Sequence, residues 1–221
     1  HATSKISSAQ DLFHLQTLGF RGEALPSIAS VAEVELKTRQ EENELGTFLF
    51  ITASEVKQQE VVNTTKGTNI CVKNLFFNIP ARRKFLKSDN TELRNIINEF
   101  LRVALTHTDI AFSLSNNGNE IYNLPISGIR QRLVNVFGKN INTKLISIEC
   151  VTELVTIKGF VCHPQHAKKT YGEQYFFVNN RFMKHHFFHK AIQEAYTGLI
   201  SGDAIPSYFI YFTVNPSLID V

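Results

Sequence analysis

The chain has 221 residues, a hydrophobic content of 43% and a formal net charge of +3 at pH 7. This length suits one large domain or two small ones, and so mild a charge does not by itself indicate a nucleic-acid partner. No run of eighteen apolar residues occurs, so no membrane span is predicted. The three cysteines are scattered and odd in number, which argues against a disulfide framework and for a reducing, intracellular setting.

The first part of the chain predicts helices followed by a run of strands. Apolar residues at helical spacing predict a short serine-capped helix over 9–18, and a second helix over 23–31 has its Pro26 in the first turn. Turn signals such as Asn43 and Gly67 then separate four strand-like runs, at 34–39, 47–53, 56–62 and 68–74.

Two more helices and a hairpin complete this part. Pro80 opens a short basic helix that we expect to run to Lys87, and an apolar face over 91–106 predicts a longer helix. Two strand-like runs surround Asn116-Asn117-Gly118-Asn119, which is typical of a β-hairpin. A break at 125–128 predicts the boundary between a first module, 1–125, and a second module, 126–221.

The second module predicts a sheet with two helices. A helix over 129–137 ends at Gly138, and two paired strands follow at 144–151 and 153–162. Another strand pair surrounds Asn179-Asn180, an amphipathic helix runs over 185–198, and 207–214 is the closing strand. The polar start without a Met and the end just after a strand lead us to expect a fragment of a longer chain.

The stretch LGFRGEAL, residues 18–25, places two glycines and an arginine before a helix. A helix N-terminus attracts anions through its unpaired N–H groups. Gly19 and Gly22 would let a phosphate approach the backbone, and Arg21 would add a charged donor. Taken alone, the pattern fits an ordinary glycine-containing turn better.

Two further patterns carry polar groups. HATSKI, residues 1–6, supplies two hydroxyls and an ammonium, a set that suits a nucleotide lid but equally a polar loop. In KGTNICVKNLFFNIPARRKFLK, residues 66–87, the Thr68 hydroxyl follows Gly67 at a strand start. The same stretch holds four cations within six residues, which suits a phosphate backbone or, equally well, a solvated helix face: Arg82, Arg83, Lys84 and Lys87.

Together and in this order, HATSKI, GFRGEALPSIASV and KGTNICVKNLFFNIPARRKFL closely resemble the N-terminal part of the MutL family of DNA mismatch repair proteins, members of the GHKL group of ATPases. The resemblance extends through YFFVNNRFMK, residues 175–184. It implies an α+β fold in which a truncated GHKL (Bergerat-type) ATP-binding α/β sandwich occupies 1–125. A ribosomal-protein-like transducer domain with a left-handed βαβ crossover then occupies 126–221 and is truncated at its end.

The resemblance also implies roles for individual residues. It assigns the lid to Thr3, Ser4 and Lys5, the phosphate loop to Gly19, Phe20, Arg21, Gly22, Glu23, Ala24 and Leu25, and a nucleotide-lining hydroxyl to Thr68. It assigns DNA phosphate contacts to Lys84 and Arg181, with Arg82, Arg83, Lys87 and Lys184 as weaker candidates.

The family residues that complete catalysis match nothing in this chain. The glutamate base, the asparagine that helps bind Mg²⁺ and the adenine-binding segment would precede His1, and a lysine that reaches the γ-phosphate would follow Val221. The resemblance therefore implies an ATPase that uses ATP and Mg²⁺ in the full-length protein. For this fragment it implies no catalytic residue, no ATPase activity and no bound nucleotide.

The implied partners are DNA, bound without sequence preference, a mismatch-recognition protein of the MutS type and a second copy of the full-length protein, with no membrane. The implied location is the bacterial cytoplasm, in association with the nucleoid. Whether the C-terminal part of the full-length protein carries the endonuclease found in some family members stays open at this point.

Other readings stay open at this point. The chain could serve only as a DNA-binding or structural module, or belong to another GHKL protein such as a topoisomerase subunit, although PARRKFL disfavours the latter. HPQH and HHFFH, residues 163–166 and 185–189, offer histidines at spacings that zinc sites use. No cysteine or carboxylate completes either set, so we predict a helix-borne histidine face and no metal site.

Overall fold

The computed structural model describes residues 3, 5, 6, 8, 11 and 17–219. Helices and mainly antiparallel sheets occur along these residues, which confirms the predicted α+β class. Two compact units are present, one built mainly from residues 19–92 and the other mainly from 93–219 together with Thr17 and Leu18. The helix predicted over 9–18 falls mostly on residues outside the described ones.

The first unit is an antiparallel sheet flanked by short helices. Helix α1 (Ala24–Ala29) precedes four strands in the sheet order β3-β2-β1-β4, and α2 (Pro80–Lys84) follows them. The strands are β1 (Glu33–Arg39), β2 (Gly46–Thr52), β3 (Glu55–Val62) and β4 (Gly67–Lys73). All four predicted strands are confirmed to within one residue. Among the described residues of this unit, the buried apolar ones are Ala29, Ala32 and Val34. The edge strand β4 is largely exposed.

The second unit has three helices, a hairpin and a larger sheet. Its helices are α3 (Asp89–Ala104), which starts in the first unit, α4 (Ile129–Phe137) and α5 (His186–Ala195). The hairpin is β5 (Phe112–Asn116) with β6 (Asn119–Leu124). The sheet strands are β7 (Leu145–Val151), β8 (Val155–Cys162), β9 (Gln174–Val178), β10 (Arg181–Met183) and β11 (Tyr208–Val214).

The five strands lie in the order β10-β9-β11-β8-β7. Only β9 and β11 pair in parallel, and β10 and α5 form the connection that such a pair needs. The predicted turns are confirmed by their backbone: Asn117 and Gly118, and likewise Asn179 and Asn180, all have positive φ. Two-residue hairpin turns of the I′ type require that conformation. The handedness of the crossover stays a prediction.

The helix α3 packs with the residues that follow it. Leu101 of α3 and Leu105, just after that helix, form one buried cluster with Leu133 of α4 and Leu145 of β7. Residues 93–125 therefore group with the second unit, whereas the sequence predicted a boundary at 125. The predicted domains 1–125 and 126–221 stay a prediction, because compactness alone does not delimit a family domain. None of the described helices has the length and apolar character that crossing a bilayer requires.

Candidate functional site

The loop before α1 has the backbone that its glycines suggest. Gly22 has a φ of +67°, in the left-handed region that favours glycine. A Cβ built on Gly19 would meet no atom within 4 Å. Arg21 is exposed, with its guanidinium 5.3 Å from the centre of the Phe20 ring. This loop therefore presents bare backbone and one cation to solvent.

The start of α1 lies directly after this loop. Glu23 occupies the N-cap position without capping the helix through its side chain, and the Ser27 N–H closes the first turn by donating to the Glu23 carbonyl. Ala24 and Leu25 are exposed at the helix start. Because Pro26 has no N–H, the first turn offers fewer donors than an ordinary helix would.

The lid residues are described in part. The Lys5 N–H donates to the Thr3 hydroxyl oxygen at 3.2 Å, and both residues are exposed. Ser4 lies outside the described residues. The Lys5 ammonium is thus carried on a short turn that the Thr3 hydroxyl closes.

Thr68 lies on β4, and the strand next to β4 in the sheet could not be predicted from the sequence. The β1–β4 register sets Thr68 opposite Thr38, and their hydroxyl oxygens lie 2.9 Å apart. Gly67, with a φ of +104°, opens the strand just before it. Thr38 is a residue that sequence reasoning missed, because only the sheet order shows that its strand neighbours β4.

The basic segment is less helical than predicted. The expectation that this helix runs to Lys87 is wrong, because α2 ends at Lys84. The final turn tightens through hydrogen bonds from Phe85 to Arg82 and from Leu86 to Arg83. Residues 86–88 are not helical, and α3 begins at Asp89, with the Ser88 carbonyl accepting from the backbone of Thr91 and Glu92.

Four cations of the predicted DNA-binding set are exposed and take part in no ion pair among the described residues. In the described part of the chain, eight ion pairs join seven lysines and one arginine outside this set to carboxylates, for example Lys57 to Glu55 and Lys158 to Glu149. Within the described part of the chain, none of these pairs involves the four exposed cations Arg83, Lys84, Lys87 and Lys184. Arg82 lies 5.8 Å from the centre of the Phe76 ring.

Arg181 is placed differently from the other candidates. It begins β10, is half-buried, and donates from Nη2 to the Thr17 carbonyl at 2.7 Å within the second unit. The structure thus places the DNA-binding candidates in both units, the basic segment in the first and Arg181 with Lys184 in the second.

The histidines serve as local hydrogen-bonding groups. His189 Nδ1 lies 2.8 Å from the Tyr208 hydroxyl, and His163 Nδ1 accepts from the Gln165 N–H. Burial, and to a lesser extent His186, lowers the pKa of His189. Within residues 17–219 and the described positions before them, no group of three or more His, Cys, Asp or Glu side chains could hold a metal ion.

Known proteins resemble the chain along its whole length. Residues 133–221 match the family described as DNA mismatch repair protein, C-terminal domain. All 221 residues align at 57% identity with the DNA mismatch repair protein MutL of Bacteroides fragilis (strain YCH46), covering 35% of it. They also align at 54% identity with MutL of Flavobacterium johnsoniae, covering 34% of it. The chain thus spans about a third of the length of the curated relatives it matches.

A solved structure also resembles the chain. The Aquifex aeolicus MutL ATPase domain complexed with ADP superposes with a TM-score of 0.69 at 26% identity, over 95% of this chain and 76% of that one. This likeness confirms the predicted fold, a GHKL-type ATP-binding sandwich followed by a transducer domain.

Proposed function

We propose that this chain, which belongs to the MutL family of DNA mismatch repair proteins, is the nucleotide- and DNA-responsive part of a mismatch repair ATPase. In the full-length protein, ATP binding and hydrolysis would drive N-terminal dimerisation and clamping on DNA. These steps would couple mismatch recognition to the removal of the faulty strand. The observation that carries the proposal is the 57% identity over all 221 residues, because that alignment includes the phosphate-loop, lid and basic motifs.

The nucleotide contacts are proposed for the first unit. The ADP complex of the Aquifex relative supports a nucleotide here. Gly19 and Gly22 would admit phosphate oxygens to the backbone, and Arg21 would add a charge-assisted hydrogen bond. The remaining proposed contacts are those of Phe20, Glu23, Ala24 and Leu25 in the loop, Thr3, Ser4 and Lys5 in the lid, and Thr68 on β4.

ATP hydrolysis needs groups that the family resemblance assigns to none of these 221 residues. A base must activate water, and Mg²⁺ must neutralise phosphate charge with the help of an asparagine ligand. We therefore infer that these 221 residues alone turn over no ATP. ATP turnover by the isolated chain that exceeds a mock purification and falls when Arg21 is changed to Gln would refute this inference.

The DNA contacts are proposed for Lys84 and Arg181, with Arg82, Arg83, Lys87 and Lys184 around them. The lack of an ion pair between Lys84 and any described residue supports this, since pairing an exposed lysine with a phosphate then breaks no existing salt bridge. Contacts of this kind position a protein on the DNA backbone and give little sequence preference.

Charge reversal tests the DNA contacts. In the full-length protein, Lys84→Glu and Arg181→Glu should each weaken duplex binding and lower the slope of log K against log salt by about 0.9 per lost phosphate contact. Lys158→Glu is the matched control, because Lys158 already pairs with Glu149 on the neighbouring strand. An unchanged slope in both test variants would show that Lys84 and Arg181 make no contact with DNA phosphates.

The wider setting follows from the family. We propose a homodimer that works with a mismatch-recognition protein of the MutS type, in the bacterial cytoplasm and near the nucleoid. We also propose that any endonuclease activity belongs to a part of the protein outside these 221 residues.

A further inference from the structure

The second unit contains a cavity that none of the proposed contacts explains. It has a volume of about 660 Å³ and lies among α3, the β9–β10 hairpin and α5. Cavities of roughly 300–1,000 Å³ are typical of sites for small organic ligands. The walls combine the aromatic residues Tyr175, Phe176, Phe182 and Tyr208 with the cations Arg102 and Lys184.

The aromatic walls suit a planar ligand. Tyr175 and Phe182 meet edge to face with ring centres 5.9 Å apart, and Phe176 and Tyr208 are 4.7 Å apart. The Arg102 guanidinium lies 4.3 Å over the Phe182 ring. Tyr175, Phe176 and Tyr208 are at most 7% exposed and form an apolar floor, whereas Tyr171, which also lines the cavity, is 70% exposed and offers ring surface on which a nucleic-acid base can stack.

The charge of the lining suits an anion. Arg102 and Lys184 are accompanied by three histidines, and no aspartate or glutamate of the described residues lines the cavity. Arg102 is bound to Glu99 on the same helix, whereas Lys184 makes no ion pair with any described residue. An incoming phosphate would therefore meet an unneutralised ammonium at the wall.

The lining also holds polar groups without protein partners. His189 bonds to the Tyr208 hydroxyl through Nδ1, which leaves Nε2 buried and without a hydrogen-bond partner in the described part of the chain. Asn98, also in the lining, is exposed, and its side-chain amide makes no hydrogen bond with the described residues. The exposed Asn98 amide offers a donor and an acceptor to the edge of a base, whereas the buried His189 Nε2 would need a side-chain movement to reach a ligand.

We propose that this cavity binds one nucleotide unit, with its base among the aromatic side chains and its phosphate on Lys184 and Arg102. The unit could be a free nucleoside monophosphate or one nucleotide of a single DNA strand. Binding of a DNA strand rests on the proposed DNA binding, because Arg181, a proposed DNA contact, begins β10 and is three residues before Lys184. The free nucleotide does not depend on that proposal.

The fluorescent base 2-aminopurine tests this inference, because stacking on aromatic rings quenches its emission. The full-length protein, saturated with ADP to occupy the proposed phosphate-loop site, is titrated with two probes. One probe is the free 2-aminopurine deoxynucleoside monophosphate, and the other is a single strand carrying one 2-aminopurine. Quenching is expected for at least one probe.

Two cavity variants and one control identify the site. Arg102→Gln and Lys184→Gln should each weaken the quenching interaction about tenfold, the size expected for losing a charged hydrogen bond to phosphate. Lys190→Gln should leave it unchanged, because Lys190 lies on α5 outside the cavity and pairs with Glu194.

The outcomes separate the two sources. Quenching of the free probe alone assigns the cavity to a mononucleotide. Quenching of the strand alone assigns it to DNA, and quenching of both assigns it to either source. Failure of DNA binding alone would leave the free-probe result standing. No quenching of either probe at millimolar concentration, or equal quenching in the wild type and both cavity variants, would overturn the inference.

Discussion

Gly159 lies in the centre of the larger sheet, where no side chain fits. It belongs to β8, between β7 and β11, and has a φ of +146°. A Cβ built there would lie 2.0 Å from the Phe209 carbonyl oxygen and 3.1 Å from the Ile210 Cα. Both atoms belong to the backbone of β11, so they cannot move aside as a flexible side chain could. Gly159→Ala must therefore separate β8 from β11.

The cost of that separation follows from the geometry. Alanine at this φ is strained by about 1–3 kcal/mol. Extending the 2.0 Å contact to an ordinary carbon–oxygen distance of about 3.3 Å needs a shift of more than an ångström. Such a shift weakens two or more ladder hydrogen bonds at about 1 kcal/mol each, and it loosens the fully buried Phe209. We expect the free energy of unfolding to fall by roughly 4–6 kcal/mol in all.

Gly172→Ala is the matched control, because Gly172 has a nearly identical φ of +144° and a Cβ built there would meet no atom within 4 Å. Urea denaturation of the 221-residue chain, followed by circular dichroism, measures both variants. The control should lose only the strain of about 1–3 kcal/mol. A Gly159→Ala loss within about 1 kcal/mol of the control would refute the close-approach argument.

Three further predictions concern buried or paired groups. Because burial lowers the pKa of His189 in the folded state, the free energy of unfolding should fall as the pH drops below about 6.5. In the His189→Gln variant the urea midpoint should therefore change less between pH 7 and 5 than in the wild type. The same pH dependence in both proteins would contradict this. Arg132 is fully buried and donates to two backbone carbonyls. Arg132→Ala should therefore lower the free energy of unfolding in urea by roughly 2–4 kcal/mol. A loss below about 1 kcal/mol would show that these hydrogen bonds do not stabilise the fold. Thr68→Val should cost at most about 1.5 kcal/mol of stability but should weaken the binding of an ATP analogue by the full-length protein, measured by calorimetry. Thr38→Val is the control. Equal affinities in the two variants would contradict a nucleotide role for Thr68.

The local elements were predictable because their signals are local. The Asn-Gly and Asn-Asn turns, the Gly138 helix end and the four strands of the first unit depend on residues close together in sequence, and the structure has them where the pattern places them. The end of α2 was misjudged because Leu86 and Lys87, which follow Lys84 closely, are good helix formers. Instead a new helix, α3, begins at Asp89, and the Ser88 carbonyl just before it accepts from the backbone of Thr91 and Glu92.

The contacts between distant segments were not predictable from the pattern. The bond between Thr38 and Thr68 depends on β1 lying next to β4, and strand order has no local signal. The cavity in the second unit unites Arg102 with residues more than sixty positions later, and α3 itself packs with the second unit. The phosphate-loop and DNA-binding assignments came from the family resemblance and not from periodicity or charge.

The most direct test of a nucleotide-responsive role is calorimetric titration with a non-hydrolysable ATP analogue and Mg²⁺. We predict saturable binding by the full-length protein, weakened about tenfold or more by Arg21→Gln through the loss of a charge-assisted hydrogen bond. We predict no measurable binding by the 221-residue chain alone. Unchanged affinity in the Arg21→Gln protein, or tight binding by the chain alone, would contradict the proposed site.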